Sequence, residues 1–226
     1  MAPSIVRPPT TTPGSPRAKQ DVLAGLRASR LASEFFTRDV VTVARELLGT
    51  VLVHGPRAAI IVETEAYLGP EDLASHTRFG KTARTSVMFG PGGVAYVYLC
   101  YGVHEMFNIV TGNDGEGQAV LIRGVAPYAG LADDATVGRG PGKVTRALAI
   151  DRSHDRKSLT RGALFVAEPP PAPELASWRD VPALAIACGP RVGVDYAGEW
   201  ATRPLRFWWR DHPAVSRATV ATRRKR

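Results

Sequence analysis

Stretches of period-two and period-3.6 hydrophobicity alternate along the chain with Gly- and Pro-rich breaks. The sharpest period-two run covers residues 60–67. Ile60, Val62, Thr64 and Ala66 alternate with Ile61, Glu63, Glu65 and Tyr67, which predicts a β-strand. On that pattern one face carries small or branched residues. The other carries an aromatic and two carboxylates about 7 Å apart. Gly69 and Pro70 break the run, and an acidic turn leads to His76. Upstream, Val40, Val43, Ala44, Leu47 and Leu48 follow the i, i+3, i+4, i+7, i+8 spacing of a helix over residues 39–48. Asp39 suits its start and Gly49 its end.

TVLVH at 50–54, a Gly55-Pro56-Arg57 turn and the run at 60 predict a hairpin. VAYVYLCY at 94–101 is a second strongly β-prone run. QAVLIRGV at 118–125 is a third, buried except for Arg123. Residues 185–194 and 205–209 are further candidate strands. A Gly-rich loop at 138–142 opens a helix near Gly142, with Lys143 in its first turn, where the helix dipole disfavours a cation unless an anion binds. A short basic helix is expected at 21–30. Strands in succession with helices outside them predict an α+β domain.

The 226 residues suffice for one substantial domain, and 44% of them are hydrophobic. The Pro- and Thr-rich start reads as a flexible tail over 1–29, the domain as 30–216, and RRKR closes a basic tail over 217–226. Residues 167–182 read as a Pro-rich surface loop. A formal charge of +8 fits phosphate-bearing partners. Cys100 and Cys188 form no CxxC pair and read as buried free thiols of a reducing compartment. No apolar run reaches the roughly 18–20 residues that span a bilayer, and the start lacks a secretory apolar stretch. A cytoplasmic location with no membrane partner is expected.

The Glu63/Glu65 pair reads either as solvent-facing acids on an edge strand or as a source of general acid–base chemistry, and spacing does not choose between the two residues. His104-Glu105-Met106-Phe107-Asn108 lacks the second histidine of a zinc-protease helix, and the five histidines form no short ligand spacing. Gly90-Pro91-Gly92-Gly93 and Gly140-Pro141-Gly142-Lys143 fail the Walker spacing. The first reads as a turn, and the second could hold one phosphate. Tyr96, Tyr98 and Tyr101 suit strand packing or base stacking. Trp200, Phe207, Trp208 and Trp209 read as core.

Five blocks, IVETEAYLGPEDLASH, MFGPGGVAYVYLCYGVHEMFNIV, AVLIRGVAP, GPGKVTRALAI and RVGVDYAGEWATRPLRFW, resemble the alkyladenine (3-methyladenine) DNA glycosylase family, in that family's order, across residues 33–216. The resemblance implies a single mixed domain with a curved, mainly antiparallel sheet surrounded by helices. It implies a monofunctional enzyme that excises alkylated or deaminated purines from double-stranded DNA, acting as a monomer with no cofactor and no metal. It makes Glu65 the general base, with Arg123 and the Val192 carbonyl holding the attacking water. It puts Tyr67 and His76 on one side of an extruded base and Tyr98 on the other, with the His76 N–H reading the base edge. Asn108 matches the residue that crowds the amino group of guanine, Tyr101 the wedge pushed into the gap left in the duplex, and Lys143 a phosphate contact. The loop after Asn108 is slightly longer than in mammalian members, and His104-Glu105 replaces an aromatic or apolar stretch. Two rivals are a non-catalytic basic nucleic-acid-binding protein and a metal-dependent hydrolase using Glu63, Glu65 and His76.

Overall fold

In the computed structural model of the chain, residues 16–168 and 185–216 are described. Helix α1 (Pro16–Ala28) leads to a short α2 (Ser33–Phe36) and to α3 (Val40–Glu46). Strands β1 (Val51–His54), β2 (Arg57–Tyr67), β3 (Ala95–Cys100), β4 (His104–Thr111), β5 (Gln118–Ala129) and β6 (Gly138–Arg139) follow. Helix α4 (Pro141–Leu148) precedes β7 (Leu164–Ala167), β8 (Ile186–Gly189) and β9 (Arg206–Trp209). The main sheet runs β3-β4-β5-β2-β1-β7, with β6 on β5 and β9 between β2 and β8, all antiparallel. This is the α+β class that the pattern of strands predicts.

The Asp39 carboxylate accepts from the Thr42 N–H at 2.8 Å and caps α3 as expected. Val40, Val43, Ala44 and Leu47 are buried beneath the sheet, in one cluster with Val144 and Leu148 of α4. The hairpin of β1 and β2 turns on Gly55-Pro56, with His54 opposite Arg57. The basic helix expected at 21–30 begins at Pro16 and ends at Ala28. Its Leu26 is fully buried against Val53, Phe165 and Trp209, so packing extends into residues that read as a tail. The Pro-rich loop lies almost wholly outside the described residues, as do both ends of the chain. Among the described residues no helix is long and apolar enough to cross a membrane.

Strand β2 departs from a simple period of two, and this departure builds the site. The β2–β5 register slips between Ile61 and Glu63 and slips back between Glu63 and Thr64. Val62 is therefore extra on β2, and Arg123 is extra on β5, between Gly124 and Ile122. Paired β-bulges re-aim side chains and strengthen local twist. Ala59 and Ile61 share a cluster with Ala66, whereas Ala58, Ile60 and Val62 belong to the opposite one. The alternation changes phase at the bulge, so Glu63 and Glu65 do not continue the face of Ile61. Along its other edge β2 leaves β1 after Ile60 and takes up β9 from Glu63 to Glu65. Glu63 thus sits on a central strand and is 0% exposed, which overturns the reading of an acid on a solvated edge.

Candidate active site

Glu65 is also fully buried. Its Oε1 accepts the Val192 N–H at 2.7 Å, and its Oε2 accepts the Tyr67 hydroxyl at 3.0 Å. Arg123 approaches through Nη1 at 3.4 Å and through Nε at 3.3 Å. These three neighbours each offer the carboxylate a donor, which offsets the cost of burying a charge. Burial opposes the Arg123 charge, but the Glu65 and Glu63 carboxylates outweigh it and push its pKa up. Arg123 is itself buried, contrary to the exposed position expected on β5.

In front of this group opens a cavity of about 460 Å³ whose lining includes Tyr67, His76, Tyr98, Tyr101, Asn108, Arg123 and Val192. Glu65 stands behind Tyr67, Arg123 and Val192. Lys143 is exposed on the first turn of α4, two residues beyond Pro141, which lines the cavity. Val192 reaches Glu65 through its N–H.

The aromatic wall comes from β3 and from the 3-10 turn His76–Phe79. The His76 ring meets Tyr98 edge-on, centroids 4.6 Å apart, and its Nδ1 shares a hydrogen bond of 2.9 Å with the Tyr96 hydroxyl. His76 therefore groups with Tyr98 and Tyr96, while Tyr67 projects from β2. Burial, with Arg84 and Arg78 nearby, pushes the His76 imidazole down to about 4, so it is neutral at physiological pH. Burial and then Glu65 push the Tyr67 phenol well up, and burial raises Tyr98 as well. The Asn108 amide donates to the Tyr96 carbonyl at 3.1 Å, which fixes its direction on β4.

Tyr101 sits at the tip of the β3–β4 hairpin and is 95% exposed. The turn closes through the Val103 N–H to the Cys100 carbonyl at 3.1 Å, with Tyr101 at φ 49° and Gly102 at φ 72°. Two consecutive positive φ values define a tight hairpin turn. Helix α4 braces the other arm of this hairpin. Gly142 lies so close to the His104 ring that a Cβ would stand 2.9 Å from Nδ1, and the Thr145 hydroxyl donates to the Glu105 carbonyl.

Several supporting groups carried no local signal. Asp72 and Arg191 form a fully buried fork, and Arg191 also donates to the Ala66 carbonyl. That fork anchors the segment whose next residue, Val192, touches Glu65. The Arg84 guanidinium lies over Tyr98 at 5.0 Å. Glu63 accepts from Arg123, Arg206 and Ser216, so it does not converge with Glu65 and His76 as the metal-hydrolase reading requires. Among the described residues no three His, Cys, Asp or Glu side chains are arranged to hold a metal ion. Cys100 is half-buried and Cys188 exposed, so neither is the buried thiol expected.

Known proteins bear on this arrangement. Residues 34–213 match the methylpurine-DNA glycosylase family. A Myxococcus xanthus protein named "Putative 3-methyladenine DNA glycosylase" is 47% identical over 199 residues, which cover 86% of this chain and 97% of the relative. An Anaeromyxobacter protein of the same name is 51% identical over 194 residues, 84% of this chain and 93% of its own. A Legionella pneumophila counterpart is 42% identical over 192 residues, 83% and 98% respectively. The match spans every element from α2 to β9, including both strands that deliver Glu65 and Arg123, and the chain therefore belongs to the methylpurine-DNA glycosylase family.

Proposed function

We propose that this protein is a DNA base-excision repair glycosylase that hydrolyses the N-glycosidic bond of an alkylated or deaminated purine. The observation that carries this reading is a buried carboxylate, Glu65, held by donors at the back of an aromatic cavity whose rim bears an exposed tyrosine. A base inside a duplex stack is unreachable, so it must be extruded at a cost of a few kcal/mol. Tyr101 fills the gap and slows return. The extruded purine lies between Tyr67 and the wall of His76 and Tyr98, where stacking contributes roughly 1–3 kcal/mol. A ring-alkylated purine is cationic, so tyrosine faces attract it and a neutral His76 does not repel it.

Glu65 takes a proton from a water whose oxygen bonds to the sugar C1′. The C1′–N bond breaks, and the base leaves with that electron pair. Glu65 also favours the positive charge that develops on the sugar. Arg123 and the Val192 N–H hold the carboxylate in place. Asn108, fixed by Tyr96, crowds the amino group of a normal guanine, and Lys143 contacts a backbone phosphate. No lysine nucleophile takes part, so the product is an intact strand with an abasic site.

The test uses duplex oligonucleotides carrying hypoxanthine, ethenoadenine or a methylated adenine, with released base detected directly. Glu65→Gln lowers the release rate by about 10²–10⁴-fold while damaged-duplex affinity stays near wild type. Salt-sensitive binding with no base released by the wild-type chain would indicate the binding-protein alternative instead.

A further inference from the structure

Glu63 is a buried carboxylate that the hydrolysis above does not use. Its Oε1 accepts from Arg123 Nε at 3.1 Å, Arg206 Nε at 2.7 Å and the Ser216 hydroxyl at 2.7 Å. Its Oε2 accepts the Ser216 N–H at 2.6 Å. Arg123 Nη2 reaches the Ser216 hydroxyl at 3.3 Å, and Arg206 Nη2 the Ser216 carbonyl at 2.9 Å. Arg123 thus lies between two carboxylates and makes no short fork with either. Glu63, Glu65, Arg123 and Arg206 are all buried, and their formal charges cancel. Other groups acting on Glu65 are the neutral phenols Tyr67 and Tyr98, together with Arg191, whose charge Asp72 matches. Room for this arrangement is specific, because a Cβ on Gly124 would stand 3.0 Å from that of Glu63.

We propose that Glu63 is a positioning residue that holds Arg123 off Glu65 and, with Arg206, keeps the buried quartet electrically neutral. The inference rests on the reading of Glu65 as the base. Glu63 competes for the Arg123 guanidinium, whose contacts with Glu65 stay long at 3.3 and 3.4 Å. Its charge offsets a cation beside a reaction that develops positive charge on the sugar. Without that charge, Arg123 closes on Glu65 and the quartet carries a net +1.

The expected signature is a displacement of the acid limb of the pH–rate profile for single-turnover base release. Glu63→Gln adds net positive charge, keeps Glu65 ionised to lower pH, and moves the limb down by on the order of one pH unit. The rate on its plateau falls by at least about 10-fold. Arg206→Gln removes positive charge and moves the limb up by a similar amount. The double variant restores the balance, and its limb returns to the wild-type position. Glu63→Asp keeps the charge and the limb, and loses rate through altered reach. A merely structural role lowers rate in every variant without opposite displacements. Limbs that stay put, or move in the same direction, in variants with wild-type circular dichroism overturn the inference. If Glu63→Gln does not fold, Arg206→Gln decides alone: an upward limb supports the inference, and an unmoved or lowered one overturns it. Absence of base release from the wild-type chain is a different failure, that of Glu65 as the base.

Discussion

Replacing Tyr101 by glycine separates the wedge role from stability. Tyr101 is 95% exposed, so its ring buries almost nothing in the folded chain. Its backbone is left-handed at φ 49°, which costs an L-residue roughly 1–2 kcal/mol. Glycine removes that strain but loses roughly 0.5–1 kcal/mol through the greater freedom of the unfolded chain. Tyr101→Gly is therefore neutral or more stable by about 1 kcal/mol. The same change removes a stacking partner worth roughly 1–3 kcal/mol in the duplex, which is about 5- to 150-fold in affinity. Thermal unfolding measures the first quantity, and titration of a labelled duplex carrying one damaged purine measures the second. Tyr101→Phe keeps the stack and should bind like wild type. Affinity within twofold of wild type for Tyr101→Gly, with unfolding unchanged, would falsify the wedge. A stability loss above about 2 kcal/mol would show instead that the ring packs on the protein.

Asp72→Asn strands the buried Arg191 charge, which costs about 3–5 kcal/mol and lowers the urea midpoint by more than 1 M at a slope of about 3 kcal/mol/M. A midpoint within about 0.2 M of wild type would mean that the fork contributes nothing. The His76 imidazole, pushed down to about 4 by burial and then by Arg84 and Arg78, binds its proton more readily in the unfolded chain. Its contribution is therefore complete above about pH 6.5 and is lost as pH falls toward 4. Urea titrations across that window should show a shallower loss in His76→Gln than in wild type. Parallel curves would show that His76 is not the responsible group.

The legible parts of this molecule are those governed by neighbours in sequence. The α3 cap follows from Asp39 and Thr42, three residues apart, and the β1–β2 hairpin from a two-residue Gly-Pro connection. The β-prone run at 94–101 becomes β3, and the glycine-rich segment before it passes so close to Phe36 that a Cβ on Gly92 would collide with its carbonyl oxygen. Glu65, Tyr67 and His76 were legible as a cluster because one strand and one turn carry all three. Arg123 was misread as exposed because a period-two pattern assumes an unbroken ladder. The ladder is broken there, and the extra residue turns inward to meet two carboxylates. Nor does the sequence hold a local cue for Ser216 on Glu63, 153 residues away.

By itself, then, the sequence determined helix α3, the β1–β2 hairpin, β3, β5 and β9, the α+β class, the family to which the chain belongs, and the strand and turn that carry Glu65, Tyr67 and His76, but it gave no reading of β4, which carries Asn108, or of β7. Periodicity, capping and motif order act over a few residues, and those forces are written directly in the chain. Tertiary structure alone decided that Glu63 is consumed by Arg206 and Ser216 while Glu65 stands behind the cavity wall of Tyr67, Arg123 and Val192. It also decided that His76 joins Tyr98 and that Arg191 pins the segment on which Glu65 depends. The carboxylate and Arg191 contacts are matters of buried charge, whereas His76 meets Tyr98 as a neutral ring. A carboxylate removed from water must find donors wherever the fold brings them, and its partners here come from strands far apart in the chain.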